Sequence, residues 1–330
     1  MIEIDGSFGE GGGQIVRTAV AFSAVTGKTV RIENIRADRP NPGLSPQHVK
    51  AILALAEICD ARVEGAKPRS LEITFRPGKI KGRSYEIDIG TAGSVTLLIQ
   101  CLLPALIHAD NPSVLKIRGG TDVKWSPSID YLYQVALPAF ALFGVKADIE
   151  LIQRGYYPRG GGVVVLRATP GKLKSANIDI IAKNVEGVSH CSNLPDHVAK
   201  RQRKAAIQVL EEKGHKVSIE TEVLKLPSTG SGITLWSGHK GASFLGERGL
   251  PAENVGDSAA KEMVLDLDSK ATVDTHLADQ LIPYLALAGG KYTTRILSQH
   301  AKTNIWTVSQ FLNAEISTTE GDVVTVQANI

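Results

Sequence analysis

Apolar and polar positions along the chain first alternate with a period of two and then recur with a period near 3.6, and this switch happens three times. The two periods predict strands and helices respectively. The opening stretch reads as a strand, a glycine loop, a helix from about Gln14 to Val25, a turn at Thr26-Gly27 and a strand from Thr29 to Ile35. A similar order returns at Tyr85 to Ile117, with strand YEIDIG, turn TAGS, helix Val95 to His108 and strand VLKIRGG. It returns again at Ala271 to Leu297, with strand ATVD, helix HLADQLIPYLALA, a turn at Gly289-Gly290 and strand YTTRIL. A second helix follows each unit, at Pro46 to Ile58, Ser128 to Phe143 and Thr303 to Leu312, and each hands over to a further strand, the last being VVTVQANI.

This pattern predicts an α/β (α+β) fold in which a large domain is built of three repeated units, each a roughly four-stranded sheet with two helices on one face. Two of the closing strands share wording as well as pattern. The segment from Ile73 to Lys81 (ITFRPGKIK) aligns, with one residue inserted, on Val165 to Lys174 (VLRATPGKLK). The stretch 181–270 does not fit the repeat. It holds a basic amphipathic helix, Asp196 to Lys213, then strands VSIETEV and GITLWSG and a helix Ala259 to Leu265, so it reads as a small α/β domain inserted in the large one. The large domain is then discontinuous, 1–180 with 271–330.

Composition narrows the class without naming a function. At 330 residues, 43% apolar and 22% charged, the chain has the make-up of an ordinary globular protein with a sizeable core. A formal charge of +3 does not by itself announce nucleic-acid binding, so any such binding must come from local clusters. The run Lys200, Arg201, Arg203, Lys204 reads as a solvated helix face. Glu3, Asp5 and then glycines stand where a secretory leader would need a basic and apolar start, and the longest apolar run is interrupted by Gln100 and Pro104. Cys59, Cys101 and Cys191 are scattered, which fits reduced thiols. Together these features predict a cytoplasmic protein without a membrane span, with room for a homo-oligomer.

Candidate chemistry concentrates at loops leading into helices. Thr303 and Asn304 are good N-cap residues ahead of Ile305, Val308 and Phe311, which places His300 just upstream of a helix N-terminus, where an anion is favoured. A nucleophile beside a phosphate site suits phosphoryl or nucleotidyl transfer. The run Gly9-Glu10-Gly-Gly-Gly13 is neither a P-loop nor a dinucleotide fingerprint, yet it carries an acid suited to a nucleotide's magnesium, with Arg17 one helical turn beyond. Arg36 and Arg39, three apart on a loop, suit a terminal phosphate and equally suit a charged strand end.

The string Arg154-Gly-Tyr-Tyr-Pro-Arg-Gly-Gly-Gly162 is the most distinctive in the chain. With DGSFGEGGGQIVR, IRADRPNPGL followed by Gln47-His48, GTAGSVTLLIQ, GGTD, HLADQL and SQHAKTN, it resembles the signature motifs of the RNA 3′-terminal phosphate cyclases, in the family's order over essentially the whole chain. The resemblance implies an ATP-dependent enzyme that turns the 3′-phosphate at an RNA end into a 2′,3′-cyclic phosphodiester. It implies a histidine that takes AMP from ATP, an RNA-adenylate formed next, and release of AMP and diphosphate. The nucleophile falls on His300. The ATP site falls on Gln100, His276, Leu277, Ala278, Asp279 and Gln280, with an aromatic residue in place of His276 in some relatives. Arg17, Arg36 and Arg39 match phosphate-binding positions, and Glu10 matches the ligand of a Mg or Mn cation. The enolpyruvyl transferases share a similar repeat, and a silent cyclase-like branch serves in ribosome assembly, so fold alone does not decide function. His300 in its motif favours the cyclase.

Overall fold

A computed structural model describes residues 1–181 and 183–330, in four four-stranded sheets with helices packed against them. The first sheet is built from β1 (Ile2–Asp5), β2 (Val30–Glu33), β3 (Arg62–Glu64) and β4 (Ile73–Arg76), ordered β1-β2-β4-β3. Helix α1 (Gly13–Thr26) links the parallel pair β1 and β2, and α2 (Pro46–Ile58) leads on to the antiparallel pair β3 and β4. The second sheet repeats this order as β5-β6-β8-β7, from β5 (Ser84–Asp88), β6 (Ser113–Gly119), β7 (Lys146–Gln153) and β8 (Gly162–Thr169). Here α3 (Val95–Leu106) is the crossover helix. The second helix is α4 (Ile129–Tyr131), which runs through a π-helical turn (Leu132–Ala136) into α5 (Leu137–Leu142), where Pro138 cannot supply a backbone donor.

The third sheet has the same order, but its edge strand does not come from where the pattern predicts. Ala271 to Asp274 makes only an isolated bridge, Val273 to Thr294, because Asp274 is committed to capping the next helix. The edge is instead β9 (Ala176–Asn177), which runs parallel to β14 (Gly290–Thr294) from the far side of the intervening segment. Gly290 allows that approach, since a Cβ there would lie 2.1 Å from the Ala176 carbonyl oxygen. Its crossover helix is α8 (Thr275–Ala288), followed by α9 (Gln299–Ser309), β15 (Glu315–Thr319) and β16 (Val324–Asn329).

Residues 185–268 carry the fourth sheet, β11-β10-β12-β13, from β10 (Val185–Ser192), β11 (Val217–Leu224), β12 (Gly230–Ser237) and β13 (Lys240–Leu245). Helices α6 (His197–Glu212) and α7 (Ala252–Asp268) cover it. The last runs farther than Ala259 to Leu265, because Val255 and Gly256 continue its buried face. This part has its own apolar cluster around Leu210, Ile233, Leu235 and Met263, while the other three sheets share one continuous core. The basic run on α6 is a solvated face tied to neighbours. Lys200 pairs with Asp196, and Arg201 with Glu253.

Candidate active site

The three crossover helices α1, α3 and α8 converge with α9 around one cleft of about 460 Å³. Each helix delivers polar side chains to it: Gln14, Arg17 and Thr18 from α1, Gln100 from α3, His276, Asp279 and Gln280 from α8, and His300 and Asn304 from α9. Residues up to 286 positions apart in sequence therefore meet there.

His300 stands differently from the expected loop position. Helix α9 starts at Gln299, with Ser298 as its N-cap, whose hydroxyl accepts from the Ala301 N–H at 3.0 Å. Thr303 and Asn304 are not caps but buried residues of the helix, with Asn304 turned into the polar network of the cleft. The imidazole thus lies in the first turn of α9, still at the positive end of the helix dipole, and is about half exposed. Its Nδ1 meets Gln14 Oε1 at 2.5 Å. Gln14 Nε2 donates to Asp279 Oδ1 at 2.6 Å, and Asn304 Nδ2 donates to the same oxygen at 2.7 Å. Thr18 in turn donates to Asn304 Oδ1 at 2.7 Å. Because Gln14 spends its amide donor on Asp279, its oxygen faces the ring and accepts from Nδ1, which leaves Nε2 on the side of Glu10. Burial pushes the Asp279 carboxyl up, against the pull of His300, Gln14 and Asn304.

His300 Nε2 lies 3.0 Å from Glu10 Oε2, and the same carboxylate oxygen is 3.7 Å from Arg39 Nη2. Arg39 also donates to the Glu10 carbonyl at 2.7 Å, while Arg36 donates to the Gly43 carbonyl. Neither arginine lines the cleft among the described residues, although Arg39 is tied to its rim through Glu10. Arg17 does line it, and burial lowers its pKa. Gln100 donates to Gln280 Oε1 at 2.7 Å across the cleft, and His276 is exposed at its edge. Leu277 and Ala278 are fully buried in the core and do not line it.

The residue-by-residue reading missed Gln14, Asn304 and His48 as parts of the site, though all three lie inside the quoted motifs. His48 packs its ring on the N-terminus of α1, where a Cβ on Gly13 would come within 1.9 Å of Nε2. Its Nδ1 accepts the Ser45 N–H at 3.2 Å, and burial beside Arg17 and Arg36 pushes its pKa down to about 3. It is therefore a neutral ring beside two cations.

The family model described as RNA 3′-terminal phosphate cyclase matches residues 8–318. A relative of that name from Methanosarcina acetivorans is 53% identical, over 96% of this chain and 96% of its own length. Relatives of the same name from Methanococcoides burtonii and Archaeoglobus fulgidus are each 54% identical, over 96% and 94% of this chain and 96% of their own lengths.

Proposed function

The chain belongs to the RNA 3′-terminal phosphate cyclase family, a family of enzymes, and from that premise we propose that it converts an RNA 3′-phosphate end to a 2′,3′-cyclic phosphodiester at the expense of ATP, through a histidine-AMP intermediate on His300. The observation that carries the reading is the chain Asp279–Gln14–His300, which holds the imidazole through Nδ1 and leaves Nε2 facing Glu10.

The lone pair of Nε2 attacks the α-phosphorus of ATP, the bond to the bridging oxygen breaks and diphosphate departs. The RNA 3′-phosphate oxygen then displaces the imidazole from phosphorus. Finally the neighbouring 2′-oxygen attacks the activated phosphate, loses its proton and expels AMP. Splitting the reaction this way gives each step a good leaving group. Negative charge spreads over phosphates throughout, and Arg17 with the N-terminus of α9 is placed to offset it. Gln100, His276, Asp279 and Gln280 offer the polar groups for the nucleotide, with Arg36 and Arg39 toward the RNA phosphate.

Nε2 attacks only when it is unprotonated and released from Glu10. A partly exposed carboxylate with hard oxygen donors fits a Mg or Mn ion that takes its remaining ligands from water and phosphate. Such an ion supplies charge neutralisation at the triphosphate when bound, and Glu10 is the residue that would hold it. The same reading takes 1–180 with 271–330 as the catalytic body and 181–270 as an insertion.

Incubation with α-labelled ATP and magnesium, followed by denaturation, tests the intermediate. The expected result is one acid-labile, base-stable label on the wild type and none on His300→Ala. A folded wild-type protein that takes up no label, or label that persists on His300→Ala, overturns the mechanism.

A further inference from the structure

Away from the His300 cleft, a second polar cluster lies between the second sheet and the segment 185–268. His190 on β10 and Asp122, in the loop after β6, are both buried, at 0% and 2% exposure. His190 Nε2 and Asp122 Oδ1 face each other at 3.5 Å, and neither atom has a hydrogen-bond partner. That separation is long for an N–H···O bond, whose ordinary range ends near ~3.2 Å. It matches the gap between two ligands of a tetrahedral ion, since metal–ligand bonds of about 2.0–2.2 Å put adjacent N and O donors about 3.4 Å apart. Asp130, at the start of α4, completes a group whose donor atoms all lie within 4.8 Å of one another.

Charge and orientation agree with a cation there. Three carboxylates, Asp122, Asp130 and Glu222, surround one guanidinium, that of Arg154, at 3.4, 2.6 and 2.8 Å. The carboxylates outnumber the one cation, and a dication would offset the cost of keeping the fully buried Asp122 ionised. Tyr156 Oη sits 2.8 Å from His190 Nδ1, so the ring can donate there and present its Nε2 lone pair to a metal, the usual support for a ligating histidine. A cleft of about 560 Å³ is lined by Asp130, Arg154 and Glu222, so the Asp130 side of the cluster borders it.

We propose that Asp122, Asp130 and His190 bind a divalent ion of the zinc class, which fastens segment 185–268 to the second sheet. One imidazole with two carboxylates is a borderline donor set that selects zinc over magnesium or calcium. Asp130 yields one oxygen from Arg154 to the ion and keeps the other. The site shares no residue with the His300 cleft and does not depend on the reaction assigned there.

The test uses metal-stripped full-length protein, zinc chloride as the probe and competition against a chromogenic chelator. Wild type and Glu10→Gln are each expected to hold one tight equivalent of zinc, and His190→Gln and Asp122→Asn to weaken it at least tenfold. Folded wild-type protein without a tight equivalent, or unchanged affinity in both variants, overturns the site. Should both variants fail to fold, anomalous diffraction from zinc-soaked wild-type crystals decides. An ion between Asp122 and His190 supports the proposal, and an ion only at Glu10 or on the surface refutes it.

Discussion

At the scale of single residues, the proposed mechanism divides the cleft between groups that would touch the reacting atoms and groups that would aim them. His300 is aimed by Gln14, and Gln14 is itself held by Asp279, which also takes a bond from Asn304. Misplacing a nucleophile by about 1 Å costs on the order of 100-fold in rate, because the bound geometry must already resemble the attack geometry. Gln14→Ala removes the acceptor that fixes the ring without touching the nucleophile. Single-turnover adenylylation is therefore expected to slow by roughly 10–100-fold, with ATP affinity changed by less than about threefold. Rapid-quench labelling at saturating ATP measures the first quantity and titration of His300→Ala with ATP, with and without Gln14→Ala, the second. Equal loss in both would make Gln14 a binding group.

At the scale of elements, the periodicities located the long helices and most of the strands, because burial of one face imposes its period on the sequence, and passed over β3, β7, β10, β13 and β15. Where local and long-range forces disagree, the pattern fails. Thr303 and Asn304 have cap chemistry, but Thr303 is buried and Asn304 is drawn inward by Asp279 and Thr18, so α9 begins at the earlier cap, Ser298. The edge strand β9 is two residues long and separated by more than a hundred positions from its partner β14, too short for any periodicity to register. The site follows the same rule. Of the expected charged residues and His300, the cleft gathers Arg17, Asp279 and His300 but not Arg36 or Arg39, while Gln14, whose contact spans 286 positions, gave no local signal. His48 illustrates how an element end can carry a pH dependence. It closes the capping box of α2 and is neutral when folded, with its pKa lowered to about 3, whereas an unfolded histidine titrates near 6.5. Its contribution is complete above about pH 6.5 and is lost as pH falls toward 3, at about 1.4 kcal/mol per pH unit. Asp266, raised to about 6 by burial, works in the opposite direction over part of this range, so the comparison must be internal. The stability difference between wild type and His48→Gln, from urea unfolding at pH 7, 6, 5 and 4, is expected to shift in favour of the variant as pH falls. A difference that stays flat would mean that His48 titrates alike in the folded and unfolded chain.

At the scale of the whole molecule, the segment 185–268 and the three-sheet body have separate apolar clusters, bridged by Trp236 packing on the larger one, and polar groups add to the attachment. Arg154 is the clearest such group. It leaves the end of β7 with its side chain 2% exposed, grips Asp122 and Asp130 on one side and reaches Glu222 on β11 on the other. A buried ion network of this kind adds little over a well-packed apolar replacement of all its members. Removing one member alone, however, strands the others as unpaired charge, at about 3–5 kcal/mol. The exposed pair of Arg201 and Glu253, each about half exposed, is geometrically as good but lies in water, where such pairs contribute about 0–1 kcal/mol. Arg154→Met is therefore expected to lower the free energy of unfolding of metal-stripped protein by several kcal/mol, and Arg201→Met by less than about 1 kcal/mol. The loss in Arg154→Met should also appear as early proteolysis within 185–268, because the attachment weakens before the three-sheet core opens. Equal effects of the two substitutions in urea titrations, or first cleavage within the three-sheet body, would show that Arg154 does not join the two parts.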